Sequence, residues 1–157
     1  MTKTALALTA VVLLFLAAPL RPQVLPFEVL GLKEGIPQSQ VSALAQDREG
    51  YLWVGTWGGL ARFNGSEFRS FFREQGLHSA RIHELLLAGD GALWIATVGG
   101  VSIWRDHRLQ LAGDPAVSAV SCRALAEDAQ GRMWIGTDDG IVIHAGDRFT
   151  PLAGGAG

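Results

Sequence analysis

Cysteine and tyrosine are nearly missing from this sequence, and charged residues are sparse. The single cysteine, Cys122, excludes an internal disulfide framework, and no C-x-x-C or clustered His/Cys spacing supports a zinc site. Charged residues make up 18% of the 157 residues and the net charge is −2, which gives no basic surface for nucleic acid. Glycine, at 20 residues, and hydrophobic residues, at 48%, are abundant instead. This composition favours a turn-rich β protein with a buried core.

The first 18 residues differ in kind from the rest of the chain. Lys3 precedes a run, residues 5–18, that is apolar apart from one threonine. This layout predicts a helical signal peptide over residues 1–18, cleaved after Ala18, and then a linker over residues 19–26. An uncleaved membrane anchor is the alternative, although a spanning helix needs about 20 apolar residues. In both cases we expect the rest of the chain to be periplasmic or otherwise extracytoplasmic.

Three segments of the chain repeat one another at intervals of 41 and 40 residues. Over an eleven-residue window, four positions are identical in all three copies. They are Gly50, Gly91 and Gly131; Trp53, Trp94 and Trp134; Thr56, Thr97 and Thr137; and Gly59, Gly100 and Gly140. Chance agreement at about 7% per position gives fewer than one identity even for a pair of copies. The repeat is genuine, and it determines the architecture.

Each copy has the periodicity of short strands. In the first copy, strand-forming runs are separated by turns, and the runs cover residues 41–46, 51–56, 60–63 and 68–72. The third and fourth runs flank Asn64-Gly65, a sequence favoured in hairpins. Four short antiparallel strands in about 40 residues form the unit of a propeller blade. We therefore predict an all-β fold, a partial β-propeller of three four-stranded antiparallel blades over residues 27–153.

The limits of the blades follow from the phase of the repeat. The blades are placed at about residues 36–72, 77–112 and 117–152, with an outer strand at 27–34 before them and a tail at 154–157 after them. Three blades cannot close a ring, since rings take about 4 to 8. An arc of three would leave one apolar face open at each end. We interpret the chain as a fragment of a longer protein whose remaining blades close the ring, and self-association of arcs is the alternative.

The repeated tryptophans lie in runs that are apolar at consecutive positions, which is typical of a sheet covered on both faces. Gly55, Ala96 and Gly136 follow them by two residues, where a small side chain lets a neighbouring backbone come close. We therefore interpret the tryptophans as packing between blades. Ligand stacking is the alternative.

The pattern A-x-D-x-x-G-x-L-W-V-G-T-x-x-G-L at residues 45–60 resembles the two-component regulator propeller repeat. Residues 127–141 and 87–101 match less fully, and Ala88 stands where the repeat has Asp. The resemblance covers roughly residues 27–150. It implies the periplasmic sensor region of a signalling protein, in which a β-sandwich, a membrane helix and a histidine kinase or cyclic-dinucleotide synthase follow the propeller. This chain would then contribute recognition only.

No catalytic or metal-binding set emerges from the sequence, and we expect neither a cofactor nor enzyme activity. None of the four histidines, His78, His83, His107 and His144, has a second ligand at helical spacing. Cys122 occupies a repeat position that is otherwise Val or Ile, and a small hydrophobe is preferred there to a nucleophile. The Asp-x-x-Gly turns offer one carboxylate each, too few for calcium.

Propellers usually bind ligands at the face formed by the loops between second and third strands and between successive blades. The candidates there are Trp57, Asp138 and Asp139, with His78 and Arg81 from the connection between blades. Trp57, followed by two glycines, either stacks on a sugar or aromatic ligand or packs on its neighbour. We expect a small molecule or oligosaccharide as ligand. The other functions considered are a propeller-fold lyase or glycoside-processing enzyme and a passive protein-interaction scaffold.

Overall fold

Three four-stranded antiparallel sheets form the fold of residues 28–152, the part of the chain that the computed structural model describes. Blade 1 comprises β1 (Val41–Gln46), β2 (Leu52–Thr56), β3 (Leu60–Phe63) and β4 (Phe68–Phe71). Blade 2 comprises β5 (Ile82–Leu87), β6 (Leu93–Thr97), β7 (Gly100–Arg105) and β8 (Arg108–Leu111). Blade 3 comprises β9 (Cys122–Glu127), β10 (Met133–Thr137), β11 (Gly140–Ala145) and β12 (Arg148–Pro151). The predicted all-β fold with three four-stranded blades is confirmed, whereas the predicted signal peptide, linker and tail lie outside the described residues.

The blades stack through their first strands, and β5 contacts both β1 and β9. Trp53 of blade 1 is fully buried and packs on Trp104 of blade 2, with ring centroids 5.0 Å apart. Trp94 of blade 2 packs in the same way on His144 of blade 3, again at 5.0 Å. Trp134 of blade 3 is only half-buried, because no described blade follows it. Two of the three repeated tryptophans therefore lie at interfaces between blades.

The repeated threonines close the turn between the second and third strand of each blade. The hydroxyl of Thr56 donates to the carbonyl of Gly59 at 2.8 Å, and Thr97 and Thr137 make the equivalent bonds at 2.7 and 2.9 Å. The same hydroxyls accept a backbone N–H from within the turn. Thr56 and Thr97 are fully buried, and each hydroxyl satisfies a turn N–H, that of Gly58 or Gly99, while it donates to a carbonyl of the same turn. The repeated threonine therefore fixes the conformation of the loop between the second and third strands.

The predicted outer strand at residues 27–34 is not formed as a paired strand within the described residues. Residues 28–31 pair with no described strand, and Leu32–Glu34 form a 3₁₀ turn that ends at Gly35, where φ is 107°. The same turn recurs after β4 at Arg73–Gln75, because the chain must reverse there between the last strand of one blade and the first strand of the next. Phe27 lies outside the described residues, and its pairing with a further blade stays a prediction.

The hairpin between β7 and β8 carries two residues in the left-handed region, Asp106 with φ 51° and His107 with φ 58°. Left-handed backbone costs a side-chain-bearing residue energy that glycine does not pay. We expect His107→Gly to raise the free energy of unfolding by about 0.5–1 kcal/mol, measured by urea denaturation. Arg108→Gly, in the adjoining strand, is the control and should lower stability, because strand interiors disfavour glycine. Destabilisation by both variants would contradict the prediction.

Candidate ligand-binding loops

Loops between second and third strands lie at the same end of the blades as the connections between blades, because antiparallel strands alternate in direction. We call this the loop end. A backbone hydrogen bond joins the two kinds of loop in every blade. The N–H of Trp57 donates to Gln40 at 3.3 Å, that of Val98 to Arg81 at 3.1 Å, and that of Asp138 to Ser121 at 3.0 Å. All five predicted ligand-binding residues belong to loops at this end.

Trp57 and Arg81 are in direct contact across the boundary between blades 1 and 2. The guanidinium carbon of Arg81 lies 3.6 Å from the centre of the Trp57 ring, a cation–π distance. Trp57 nevertheless remains 39% exposed. The indole therefore packs on a neighbour and also keeps surface that a ligand can contact. The structure brings together these two residues, which are 24 positions apart in the sequence.

His78 has a different environment from the other candidates. Its backbone N–H donates to the hydroxyl of Ser102 at 3.0 Å, and its ring Nε2 lies 3.3 Å from the carbonyl oxygen of Ala112. The ring also lies against Gly100, where an added Cβ would come within 2.9 Å of it. These contacts anchor the connection that enters blade 2. His78 is therefore half-buried by the protein itself rather than presented beside Trp57.

Asp138 and Asp139 are exposed, and only Asp138 has an ion-pair partner among the described residues. Its carboxylate pairs with the guanidinium of Arg123, a residue of β9 that the sequence did not single out. The hydrogen bond from Arg123 lowers the pKa of Asp138, which stays ionised in the neutral range. The backbone N–H of Asp139 donates to Thr137, and its side chain is free to face solvent at the loop end.

A β-bulge recurs in the first strand of every blade, close to the loop end. The strand register shifts by one residue at Ser42, His83 and Arg123, which occupy one repeat position. A bulge redirects the side chain of the extra residue, and here each is polar. The hydroxyl of Ser42 donates to the carbonyl of Ile82 in blade 2 at 2.7 Å, and the Nδ1 of His83 lies 3.0 Å from the carbonyl oxygen of Cys122 in blade 3. The bulges at Ser42 and His83 therefore couple successive blades beneath the candidate loops.

Cys122 is buried, and burial, with a smaller effect of the Asp138 charge, raises the pKa of its thiol to about 11. A thiol of this kind is not a nucleophile at neutral pH. We expect iodoacetamide to leave Cys122 unmodified in the folded protein and to alkylate it in urea, as measured by mass spectrometry. Rapid alkylation without urea would contradict the buried position. Within residues 28–152, no three side chains of metal-binding type are grouped to hold an ion.

The family model of the two-component regulator propeller matches residues 35–58 and 117–139, and the resemblance seen in the sequence is confirmed. The extracellular domain of a hybrid two-component system from B. thetaiotaomicron is 26% identical with a TM-score of 0.65, over 74% of this chain and 17% of that one. A second such domain from this organism is 20% identical with a TM-score of 0.66, over 79% and 18%. Virginiamycin B lyase from Staphylococcus aureus, at 14% identity and a TM-score of 0.54 over 73% and 42%, shares the fold alone. No curated protein sequence matches.

The chain is a β-propeller domain that resembles the extracellular sensor regions of hybrid two-component systems. It spans less than a fifth of the length of the two extracellular domains. The family model that matches these segments describes two-component regulator propellers. Across residues 28–152, none of the helices has the length and apolar character that crossing a membrane requires.

Proposed function

We propose that this chain is the extracytoplasmic, ligand-sensing part of a two-component-type signalling protein and that it binds a small molecule or oligosaccharide at the loop end. The observation that carries the proposal is the Trp57–Arg81 pair, an indole that is 39% exposed although a residue of the connection to blade 2 lies on its ring. An exposed indole at a propeller loop end offers a stacking surface for a sugar ring or an aromatic group.

Polar groups at the loop end suit a hydroxylated ligand. The guanidinium group of Arg81 and the ion pair between Arg123 and Asp138 both lie at this end of the blades. They supply donors and acceptors for ligand hydroxyls. Because the Trp57–Arg81 contact joins two blades, a ligand that stacks on Trp57 also acts on the blade boundary. That is a physical route by which binding reaches the rest of a sensor.

The output of the parent protein belongs to the same proposal. Further blades, a membrane helix and a kinase or cyclic-dinucleotide synthase are the partners that a recognition module of this kind needs. Sequencing the coding frame beyond Gly157 tests this part directly. Continuation into more repeats and then an output domain is the expected result. Continuation into a hydrolase or lyase motif would replace the sensor by an enzyme.

The binding site is tested by thermal shift with a panel of oligosaccharides and aromatic small molecules. We expect at least one compound to raise the Tm of the wild-type chain and the shift to disappear in Trp57→Ala. Leu111→Ala is the matched control, since it removes another exposed apolar side chain, from β8, and should keep the full shift. A shift that survives in Trp57→Ala would contradict the site, and chemical turnover of the compound would favour an enzyme.

A further inference from the structure

A carboxylate holds the repeated tryptophan in blades 1 and 3, at the end of the blades opposite the loop end. The Oδ2 atom of Asp47 accepts the indole N–H of Trp53 at 2.7 Å, and Asp128 accepts that of Trp134 at 2.8 Å. The Oδ1 atom of each aspartate accepts two backbone N–H groups of the following turn, each at 3.0 Å. One planar carboxylate therefore satisfies an indole and a turn together.

Blade 2 has the same tryptophan but lacks the carboxylate, because Ala88 occupies the position of the aspartate. The indole of Trp94 is 97% buried and packs on His144 as Trp53 packs on Trp104, so its N–H points toward the same place. Among residues 28–152 this N–H has no acceptor, and neither has the backbone N–H of Asp90. Two of the three donors that a carboxylate satisfies in the other blades are thus left open here, while the Oδ1 atom of Asp90 accepts the third, the N–H of Ala92, at 2.9 Å.

An open cleft of about 510 Å³ lies next to these two donors, between blades 2 and 3. Its walls include Ala88, Trp94, Arg105, Glu127, Met133 and His144. Arg105 brings a positive charge, which it shares with Asp90 in an ion pair. The carboxylate of Glu127 accepts a hydrogen bond from the backbone N–H of Gly89 at 2.6 Å. Burial, and then the charge of Arg105, lower the pKa of His144, so its ring is neutral near pH 7 and adds no second positive charge.

We propose that this cleft binds a small monocarboxylate, whose carboxyl group takes the place that the side chains of Asp47 and Asp128 fill in the other blades. One oxygen accepts the indole N–H of Trp94, and the other accepts the backbone N–H of Asp90. Arg105 attracts an anion whereas Asp90 and Glu127 repel it, so a lining with one guanidinium and two carboxylates disfavours a ligand with more than one negative charge. The remaining volume, beside Met133 and His144, accommodates an apolar substituent on the carboxylate.

The indole N–H resonances of the ¹⁵N-labelled full chain test the proposal, since the chain has five tryptophans and each gives one signal. Trp94→Phe identifies the signal of Trp94. Titration with sodium acetate or sodium benzoate is expected to move this signal and leave those of Trp53 and Trp134 in place. Sodium chloride at equal ionic strength is the control and should move none of the three.

Ala88→Asp supplies from within the chain the carboxylate that the cleft lacks. We expect it to shift the Trp94 signal without added ligand and to weaken acetate and benzoate binding at least tenfold. Asp128→Ala creates the same vacancy in blade 3 and should make the Trp134 signal respond to acetate. The proposal is overturned if neither carboxylate shifts the Trp94 resonance of the wild type, or if chloride shifts it equally. It is also overturned if acetate and benzoate shift the Trp94 resonance of Ala88→Asp as they shift that of the wild type.

Discussion

Replacing Trp53 by alanine is expected to lower the free energy of unfolding by about 4 kcal/mol. Its side chain is fully buried and contacts both Phe71 of its own blade and Trp104 of blade 2. Removal leaves a cavity in the interface between two blades and frees the carboxylate of Asp47 from its indole partner. Both the lost packing and the lost hydrogen bond destabilise the same interface.

Trp134→Ala is the matched control, because the residue occupies the same repeat position and keeps the same bond to an aspartate. Its indole is half-buried and faces no further blade within the described residues. We expect about half the loss or less, measured as the change in the urea midpoint at low protein concentration. Equal losses for Trp53→Ala and Trp134→Ala would show that stacking of blades does not hold the fold together.

Protein concentration adds a second measurement to this comparison. Near Trp134 lies an apolar cleft of about 210 Å³, lined by Ala124, Leu125, Ala126, Trp134, Ile135, Gly136 and Ile141. The equivalent face of blades 1 and 2 is covered by the next blade. If copies of the chain cover this face by association, the effect of Trp134→Ala should grow with protein concentration, and sedimentation would show the larger species. A monomer at all concentrations would contradict this association.

The architecture was predictable because it is repeated. Three copies of one pattern place Trp53, Trp94 and Trp134 at a fixed interval, and each copy contains four runs of strand type. A register shift of one residue leaves no comparable mark in the sequence. The bulges at Ser42, His83 and Arg123 were therefore missed, although their shared repeat position was available as a signal.

The candidate site was predictable in position but not in its contacts. The topology places Trp57 and Arg81 at the same end of the blades, but their stacking depends on the position and orientation of blade 2 relative to blade 1. His78 has the correct loop position but is used for anchoring, which only its partners Ser102 and Ala112 reveal. These contacts join residues 24 to 34 positions apart, and local patterns carry no information about their geometry.

Gly100→Ala is expected to destabilise the chain by about 3–5 kcal/mol, because strain and a clash act together there. The backbone at Gly100 has φ 141°, a conformation that side-chain-bearing residues rarely adopt. An added Cβ would also stand 2.7 Å from the carbonyl oxygen of Val117, which lies in the connection leading to blade 3. That carbonyl accepts the N–H of Val101 at 3.1 Å, so moving it away breaks a backbone bond.

Gly140→Ala separates the two causes, since Gly140 holds the same repeat position with φ 125° and has no heavy atom within 4 Å of an added Cβ. Only strain acts there, and we expect a loss of about 1–2 kcal/mol in urea denaturation. The difference between the two variants measures the clash at Gly100 with the carbonyl of Val117 and with the ring of His78. Were the two losses equal, the approach of Val117 to Gly100 would have no energetic weight, and the connection would not be part of what fixes blade 3 against blade 2.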